Sequence, residues 1–147
     1  MTLAFAAAWV AFVPIDVFHL HLLPAPRPLA AWTGGFVAMI GAALTPVAVW
    51  ENRFAAPNVQ DQIAQGQRIV DTGVHRLVRH PIYLGNLLLF AGAALWLGSC
   101  AALVGALVIL MVTLARIAIE EQHPRARFPQ YRDYERKVLW RLAPFLF

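Results

Sequence analysis

Residues 29–50 read LAAWTGGFVAMIGAALTPVAVW, an apolar run without a single charged side chain. As a helix this run would be roughly 33 Å long, because each residue advances a helix by about 1.5 Å, and that length crosses the hydrocarbon core of a bilayer. Trp32 and Trp50 lie towards its two ends, where membrane helices carry interfacial aromatic residues. Pro46 fits this interpretation because membrane helices tolerate proline. The run therefore predicts a membrane-spanning helix.

The composition of the whole chain agrees with that prediction. The 147 residues are 60% hydrophobic and only 14% charged, whereas soluble domains usually carry about 25% charged residues. A soluble chain this short could not hide so much apolar surface from water, but a bilayer can cover it. We therefore predict one integral membrane domain over residues 1–147.

Three further apolar segments complete an all-α fold with about four transmembrane helices, at about residues 3–23, 82–97 and 101–119. The proline-rich stretch 24–28 and the Gly98-Ser99-Cys100 connection are both short, so each predicts an antiparallel pair of helices. The first segment lacks a basic start and a cleavage site, which favours a retained helix over a signal peptide. Ala101 and Gly105 have the spacing of a small-residue helix contact, although ordinary small residues are an equal alternative.

A polar loop at 51–81 separates the second and third apolar segments, and a polar tail at 120–147 follows the fourth. Residues 1–50 therefore hold helices 1 and 2, and residues 82–119 form a hairpin. Within the loop, residues 58–70 have the pattern of a surface amphipathic helix. The loop has four arginines and the tail region seven basic residues if Arg116 is counted. Since Lys and Arg favour cytoplasmic loops, both regions and the N-terminus are predicted in the cytoplasm. This distribution also explains the net charge of +4 without nucleic-acid binding.

The string RHPIYLG at 79–85 lies where the polar loop enters the third apolar segment. Pro81 suits the first turn of a helix, and the free N–H groups of that turn favour an anion. Arg79 adds a guanidinium fork for a carboxylate, His80 a group that donates or accepts, and Gly85 permits close approach to the backbone. The string predicts an anion-binding corner at the membrane surface. The alternative is that Arg79 and His80 only mark the interface.

Glu120 and Glu121 end the fourth apolar segment, where negative charge opposes the helix macrodipole. A local rule broken in this way hints at function. Arg116, four residues earlier, is predicted to pair with Glu120, which would leave the second carboxylate for a cationic or hydroxyl-bearing ligand. Because a short connection joins the two segments, the hairpin places these acids beside Arg79 and His80.

These motifs together resemble a known family. The string GVHRLVRHPIYLG at 73–85, an apolar hairpin and the paired glutamates are followed at matching positions by Phe128, Tyr131, Tyr134, Val138, Arg141 and Pro144. This pattern is similar to the isoprenylcysteine carboxyl methyltransferase family, which itself resembles the phospholipid methyltransferases. The resemblance covers about residues 66–147.

The resemblance implies an S-adenosylmethionine-dependent methyltransferase whose lipophilic acceptor enters from the bilayer. It implies that the donor is bound by Arg79, His80, Tyr83, Gly85, Glu120 and Glu121. It also makes Tyr134 and Arg141 the catalytic candidates, with Tyr131 beside them to close the pocket or hold the acceptor. The family usually has Leu and Gly where this chain has Pro124 and Pro129, so the helix beyond Glu121 is expected to break early.

The chemistry leaves the acceptor open. The donor is already activated, so the protein mainly aligns the reactants and no metal is required. A carboxylate acceptor needs no general base because it is ionised at neutral pH, whereas an amine or thiol does, with His80, Tyr83 or Glu121 as candidates. An isoprenylcysteine carboxylate, a phospholipid amine and a thiol all remain, and the oligomeric state is not predicted.

Two other functions compete with methyl transfer. Asp16, His19 and His21 lie in the first apolar segment, and ionisable groups in membrane segments are functional candidates that can hold a metal or haem. The simpler interpretation places them near the outer end of the helix in contact with water. A non-catalytic membrane scaffold is the third hypothesis. Cys100 is the single cysteine and forms no disulfide within the chain.

Overall fold

The computed structural model describes residues 2–52, 70–122 and 131–144. The regular secondary structure of these residues is entirely helical, with no strand among them. The elements are α1 (Thr2–Ile15) continued by a π-helical turn (Asp16–Leu20), α2 (Pro28–Glu51), a 3₁₀ helix (Gly73–Arg76), α3 (Pro81–Trp96), α4 (Cys100–Glu120) and α5 (Tyr131–Lys137). The predicted amphipathic helix at 58–70 lies outside the described residues, as do Pro124 and Pro129.

Helices α2 and α3 pack so closely that their backbones touch. A Cβ added to Gly92 would lie 2.5 Å from the amide nitrogen of Ala38, and one added to Gly34 would lie 2.7 Å from the carbonyl oxygen of Gly92. Nearer the other end of α3, a Cβ on Gly41 would overlap the carbonyl oxygen of Gly85. Small residues at helical spacing permit this approach. The small-residue contact predicted from the sequence was at Ala101 and Gly105, whereas this contact between α2 and α3 was not predicted.

The predicted antiparallel hairpin of α3 and α4 is present. The connection turns at Gly98, whose φ of +92° is accessible to glycine at little cost. Ser99 then caps α4, because its hydroxyl oxygen accepts a 3.0 Å hydrogen bond from the Ala102 amide. Pro81 lies in the first turn of α3, as expected. The start of α3 and the end of α4 therefore lie at the same end of the hairpin.

Helix α1 packs on α4 through a tryptophan. The indole N–H of Trp9 donates a 2.8 Å hydrogen bond to the carbonyl of Ala102, and a Cβ on Gly105 would lie 2.8 Å from the ring. Phe90 of α3 meets the same ring edge-on, with centroids 5.0 Å apart. Gly105 is thus small to admit an aromatic side chain. Ala101 is buried in the same helix.

The outer surface of this packing is apolar. Large side chains of α2 and α4 project outward, among them Leu29, Trp32, Phe36, Met39, Trp50, Leu107 and Met111. Within the described residues two helices, Pro28–Glu51 and Cys100–Glu120, are long and apolar enough to cross a membrane, and Ala6–Leu20 and Pro81–Trp96 are shorter apolar helices. Such extensive exposed apolar surface is what a bilayer covers.

Candidate active site

The open end of the α3–α4 hairpin brings the two polar motifs of the sequence together. His80 immediately precedes α3, and Glu121 immediately follows α4. Nε2 of His80 lies 3.3 Å from Oε1 of Glu121. Because an ionised carboxylate only accepts hydrogen bonds, the imidazole donates from this nitrogen. The predicted juxtaposition of the motifs is therefore present.

Glu121 is the centre of a buried cluster of charges. Its side chain is 1% exposed, yet it lies against three cationic or protonatable partners. Nε of Arg79 is 3.3 Å from Oε1, and Nε of Arg141 is 3.1 Å from Oε2. Arg79 in turn donates from Nη1 to Glu135 over 2.8 Å. The second glutamate is therefore paired with Arg79, His80 and Arg141 in this structure, and its binding of a ligand stays a prediction.

The electrostatics of this cluster favour an ionised Glu121. Burial alone raises the pKa of a carboxyl group, because it penalises the charged form. Here the hydrogen bond from His80 and the charges of Arg79 and Arg141 outweigh burial, and they hold the pKa of Glu121 below its ordinary value. A buried carboxylate is thus kept charged by its neighbours.

Glu120 forms a second cluster, on the neighbouring face of α4. The Tyr83 hydroxyl donates to its two carboxylate oxygens at 2.9 and 3.0 Å, and Nε of Arg116 donates to Oε1 at 2.5 Å. The predicted pairing of Arg116 with Glu120 is therefore present. The ring of His80 stacks on Tyr83 at 5.7 Å between centroids, so the two clusters are adjacent.

The tail reaches the site by pairing its backbone with the residues before α3. The amide of Arg79 donates to the carbonyl of Trp140 over 2.9 Å, and the amide of His80 donates to that of Arg141 over 2.8 Å. These bonds place the Arg141 side chain next to Glu121. Arg141 was predicted only through the resemblance, and Glu135 was not predicted, because its partner Arg79 lies 56 residues away in the sequence.

The two tyrosines of the tail lie on one buried face of α5, as their spacing predicts. Tyr131 and Tyr134 have centroids 5.8 Å apart and are at most 8% exposed. The Tyr134 hydroxyl donates a 2.9 Å hydrogen bond to the carbonyl of His75. Burial raises the pKa of Tyr134 to about 12, so the phenol stays protonated at neutral pH. Its catalytic role stays a prediction, and the contact observed is with the loop.

Gly85 was predicted to admit a ligand, and the structure places it elsewhere. It is buried in the α2–α3 interface, where an added Cβ would overlap the hydroxyl of Thr45 and lie 3.1 Å from the carbonyl of Gly41. The close approach that Gly85 permits is therefore that of helix α2.

The residues of the competing metal or haem hypothesis do not converge. Asp16 is buried and accepts hydrogen bonds from the Ser99 hydroxyl at 2.5 Å and the Leu22 amide at 3.0 Å. His19 and His21 are exposed. In the described part of the chain no three His, Cys, Asp or Glu side chains are grouped as a metal site would require. Asp16 instead joins the end of α1 to the start of α4.

Comparison with protein families decides the class of the protein. The family model described as phospholipid methyltransferase matches residues 29–130, which include both glutamates and the 79–85 string. The chain belongs to the phospholipid methyltransferase family. This membership agrees with the predicted resemblance to membrane methyltransferases and gives no support to the metal, haem and scaffold alternatives.

A solved structure agrees with the family assignment. The eukaryotic intramembrane Ras methyltransferase ICMT, an isoprenylcysteine carboxyl methyltransferase, superposes with a TM-score of 0.73 at 26% identity. The match covers 99% of this chain but 52% of that protein, so the chain spans about half the length of this relative. No curated protein sequence matches the chain significantly. The predicted resemblance to this enzyme family is confirmed.

Proposed function

We propose that this protein is an S-adenosylmethionine-dependent methyltransferase that acts in the membrane on a lipophilic acceptor, either a lipid or an isoprenylcysteine carboxylate. The observation that carries the proposal is the cluster around Glu121 at the open end of the α3–α4 hairpin. Buried charges are expensive, and strongly perturbed groups gather at functional sites.

The residues of the cluster suit the donor. Nε of Arg79 is buried and lies 3.3 Å from Oε1 of Glu121, a contact that does not meet hydrogen-bond geometry. A buried guanidinium N–H without a well-aligned acceptor favours a further carboxylate, such as that of the donor. Glu120 and Glu121 are acceptors for its amine or ribose hydroxyls, while His80 and Tyr83 offer polar groups and ring faces. We therefore assign Arg79, His80, Tyr83, Glu120 and Glu121 to the donor site.

Methyl transfer mainly requires that the donor and the acceptor are aligned. When bound, S-adenosylmethionine supplies a methyl group on a sulfonium that is already a good leaving group. The work left to this chain is to hold donor and acceptor in line and to exclude water, which is catalysis by proximity and orientation. The first turn of α3 offers further hydrogen-bond donors to a ligand. The amide N–H groups of Ile82 and Tyr83 lie at the start of the helix, where no earlier turn supplies an acceptor.

The acceptor is assigned to the side of the cluster formed by the tail. The side chain of Arg141 is 32% exposed, more than those of Arg79 and His80 at 7% and 15%, and its Nε lies 3.1 Å from Oε2 of Glu121. We propose that it touches the acceptor. Tyr134 is proposed to support that side by packing, since its hydroxyl donates to the carbonyl of His75.

We further propose four membrane crossings with the site at the cytoplasmic face. In this arrangement α1, α2, α3 and α4 cross, and the loop at 51–81, the tail at 120–147 and the N-terminus lie in the cytoplasm. The charge of the loop and tail supports it. Helix α3, at 16 residues, is short for a crossing and would be accompanied by local thinning of the bilayer.

The experiment is calorimetric titration of S-adenosylmethionine into detergent-purified protein, with Glu121→Gln and Glu120→Gln. Asp133→Asn is the matched control, because that carboxylate lies on α5 with 68% of its side chain exposed, and among the described residues its ion pair is with Arg136. We expect saturable binding by wild type and control and at least about tenfold weaker binding by the two site variants. Folded wild-type protein that does not bind the donor would refute the proposal.

A further inference from the structure

A partly buried polar junction lies beside the candidate site, and its central carboxylate, Glu51, is not among the residues predicted for that site. Glu51 is the last residue of α2, and its Oε2 accepts a 2.8 Å hydrogen bond from the Val74 amide. The same oxygen lies 3.4 Å from Nδ1 of His75, whose side chain is buried. One carboxylate thus binds both the backbone and a side chain of the 3₁₀ helix Gly73–Arg76.

The turn is built around that carboxylate. Gly73 has a φ of +51°, and a Cβ added there would overlap the carboxyl group of Glu51. A side chain at this position would therefore be strained by the backbone and would also collide with Glu51. Glycine allows the carboxylate to lie directly against the main chain.

The same turn leads into the donor site. Amides of Leu77 and Val78 donate to the carbonyl of Val74 at 3.1 and 3.3 Å, and Arg79 and His80 follow directly. From the other side, the Tyr134 hydroxyl of α5 holds the carbonyl of His75. The membrane helix α2, the loop and the tail therefore meet at His75, four residues before Arg79.

We propose that Glu51 is a positioning residue of the donor site, whose carboxylate anchors the Gly73–Arg76 turn to the end of α2 and so sets where Arg79 and His80 meet Glu121. The inference rests on the proposed function, because it assumes that these residues bind the donor. Burial lowers the pKa of His75, although the hydrogen bond to Glu51 opposes that effect. A neutral imidazole donating from Nδ1 to the carboxylate is consistent with that balance.

The test compares Glu51→Ala with Glu51→Gln in the full chain. Two readouts are used: amide hydrogen exchange in the protein without donor, and calorimetric affinity for S-adenosylmethionine. Glu51→Ala should speed exchange at Val74 and also at Arg79 and His80, and should weaken donor binding about tenfold. Glu51→Gln keeps an oxygen that accepts from the Val74 amide, so it should retain most of the protection and affinity.

A control separates positioning from general loss of stability. Gly34→Ala places a Cβ 2.5 Å from that of Leu95 at the far end of the α2–α3 interface, and so destabilises the fold away from the junction. If Glu51→Ala weakens donor binding no more than Gly34→Ala does, or alters exchange at Val74 alone, the positioning role is refuted. Wild-type protein that binds no donor would instead refute the proposed function, and this role with it.

Discussion

Replacing Glu121 is the most direct perturbation of the buried cluster, because a single carboxylate holds together three segments of the chain. Arg79 precedes α3, Glu121 follows α4, and Arg141 belongs to the tail. Glu121→Gln keeps the size of the side chain and removes its charge, whereas Glu121→Ala removes the group. The pair of variants therefore separates the effect of charge from the effect of packing.

The magnitude follows from burial. The side chains of Arg79 and Glu121 are 7% and 1% exposed, so their attraction is weakly screened, while Arg141 at 32% contributes less. Removing one partner of a buried ion pair costs about 3–5 kcal/mol, since a charge is left uncompensated. Arg79 retains Glu135, which places the expected loss near the lower end, at about 3 kcal/mol for Glu121→Ala.

The assay is reversible unfolding in mixed micelles, with helicity measured against the fraction of denaturing detergent. Because the pKa of Glu121 is held below its ordinary value of 4.5 in the folded protein, its charge stabilises the fold fully above that value. This contribution is lost as the pH falls through the lowered pKa. Wild type should therefore lose more stability in acid than Glu121→Gln does. Variants within about 1 kcal/mol of wild type, or identical acid curves, would refute the reasoning.

Three further changes test the packing around the site. Gly41→Val should cost about 3 kcal/mol in the same unfolding assay, because its side chain would overlap the backbone of α3, and an unchanged stability would contradict the close contact. Tyr134→Phe removes one hydrogen bond to the carbonyl of His75 and should cost about 1 kcal/mol, while a far larger loss of turnover would support its predicted catalytic role. Ser99→Ala should cost about 1 kcal/mol, because α4 loses its cap. It also removes the hydrogen bond from Ser99 to Asp16, so the end of α1 should become more mobile. The measurement is amide exchange at Leu22, which should be faster because Asp16 accepts the hydrogen bond of that amide.

The position of the site was predictable because two short motifs and one short connection define it. A three-residue turn after an apolar segment requires an antiparallel hairpin, so His80 and Glu121 had to meet whatever the details of packing. The Arg116–Glu120 pair is likewise local, since residues four apart share a helix face. Local sequence rules are therefore sufficient to predict the contacts at the open end of the hairpin.

The remaining contacts join residues that are far apart in the sequence, so the local rules did not predict them. Glu51 meets Val74 across 23 residues, and Arg79 meets Glu135 across 56. No periodicity links such positions, so their register is set only when the loop and tail pack. Gly34, Ala38 and Gly41 have the spacing of one helix face, but this spacing does not say which helix packs on that face, so the α2–α3 contact was not predicted.

Two adjacent glutamates at a helix C-terminus are unfavourable because they oppose the helix macrodipole, and the two clusters offset this effect. Each carboxylate is paired separately, Glu120 with Arg116 and Tyr83, and Glu121 with Arg79 and Arg141. With Glu135 included, two arginines and two carboxylates meet at the Glu121 cluster beside His80, so the formal charges of these four groups cancel before any ligand arrives. A ligand carrying a single charge would upset that balance in a buried place, which is costly. The amino-acid end of the proposed donor carries both an ammonium and a carboxylate, and so joins the cluster without leaving net charge behind. The arrangement thus favours a zwitterionic group over a simple anion at this corner of the hairpin.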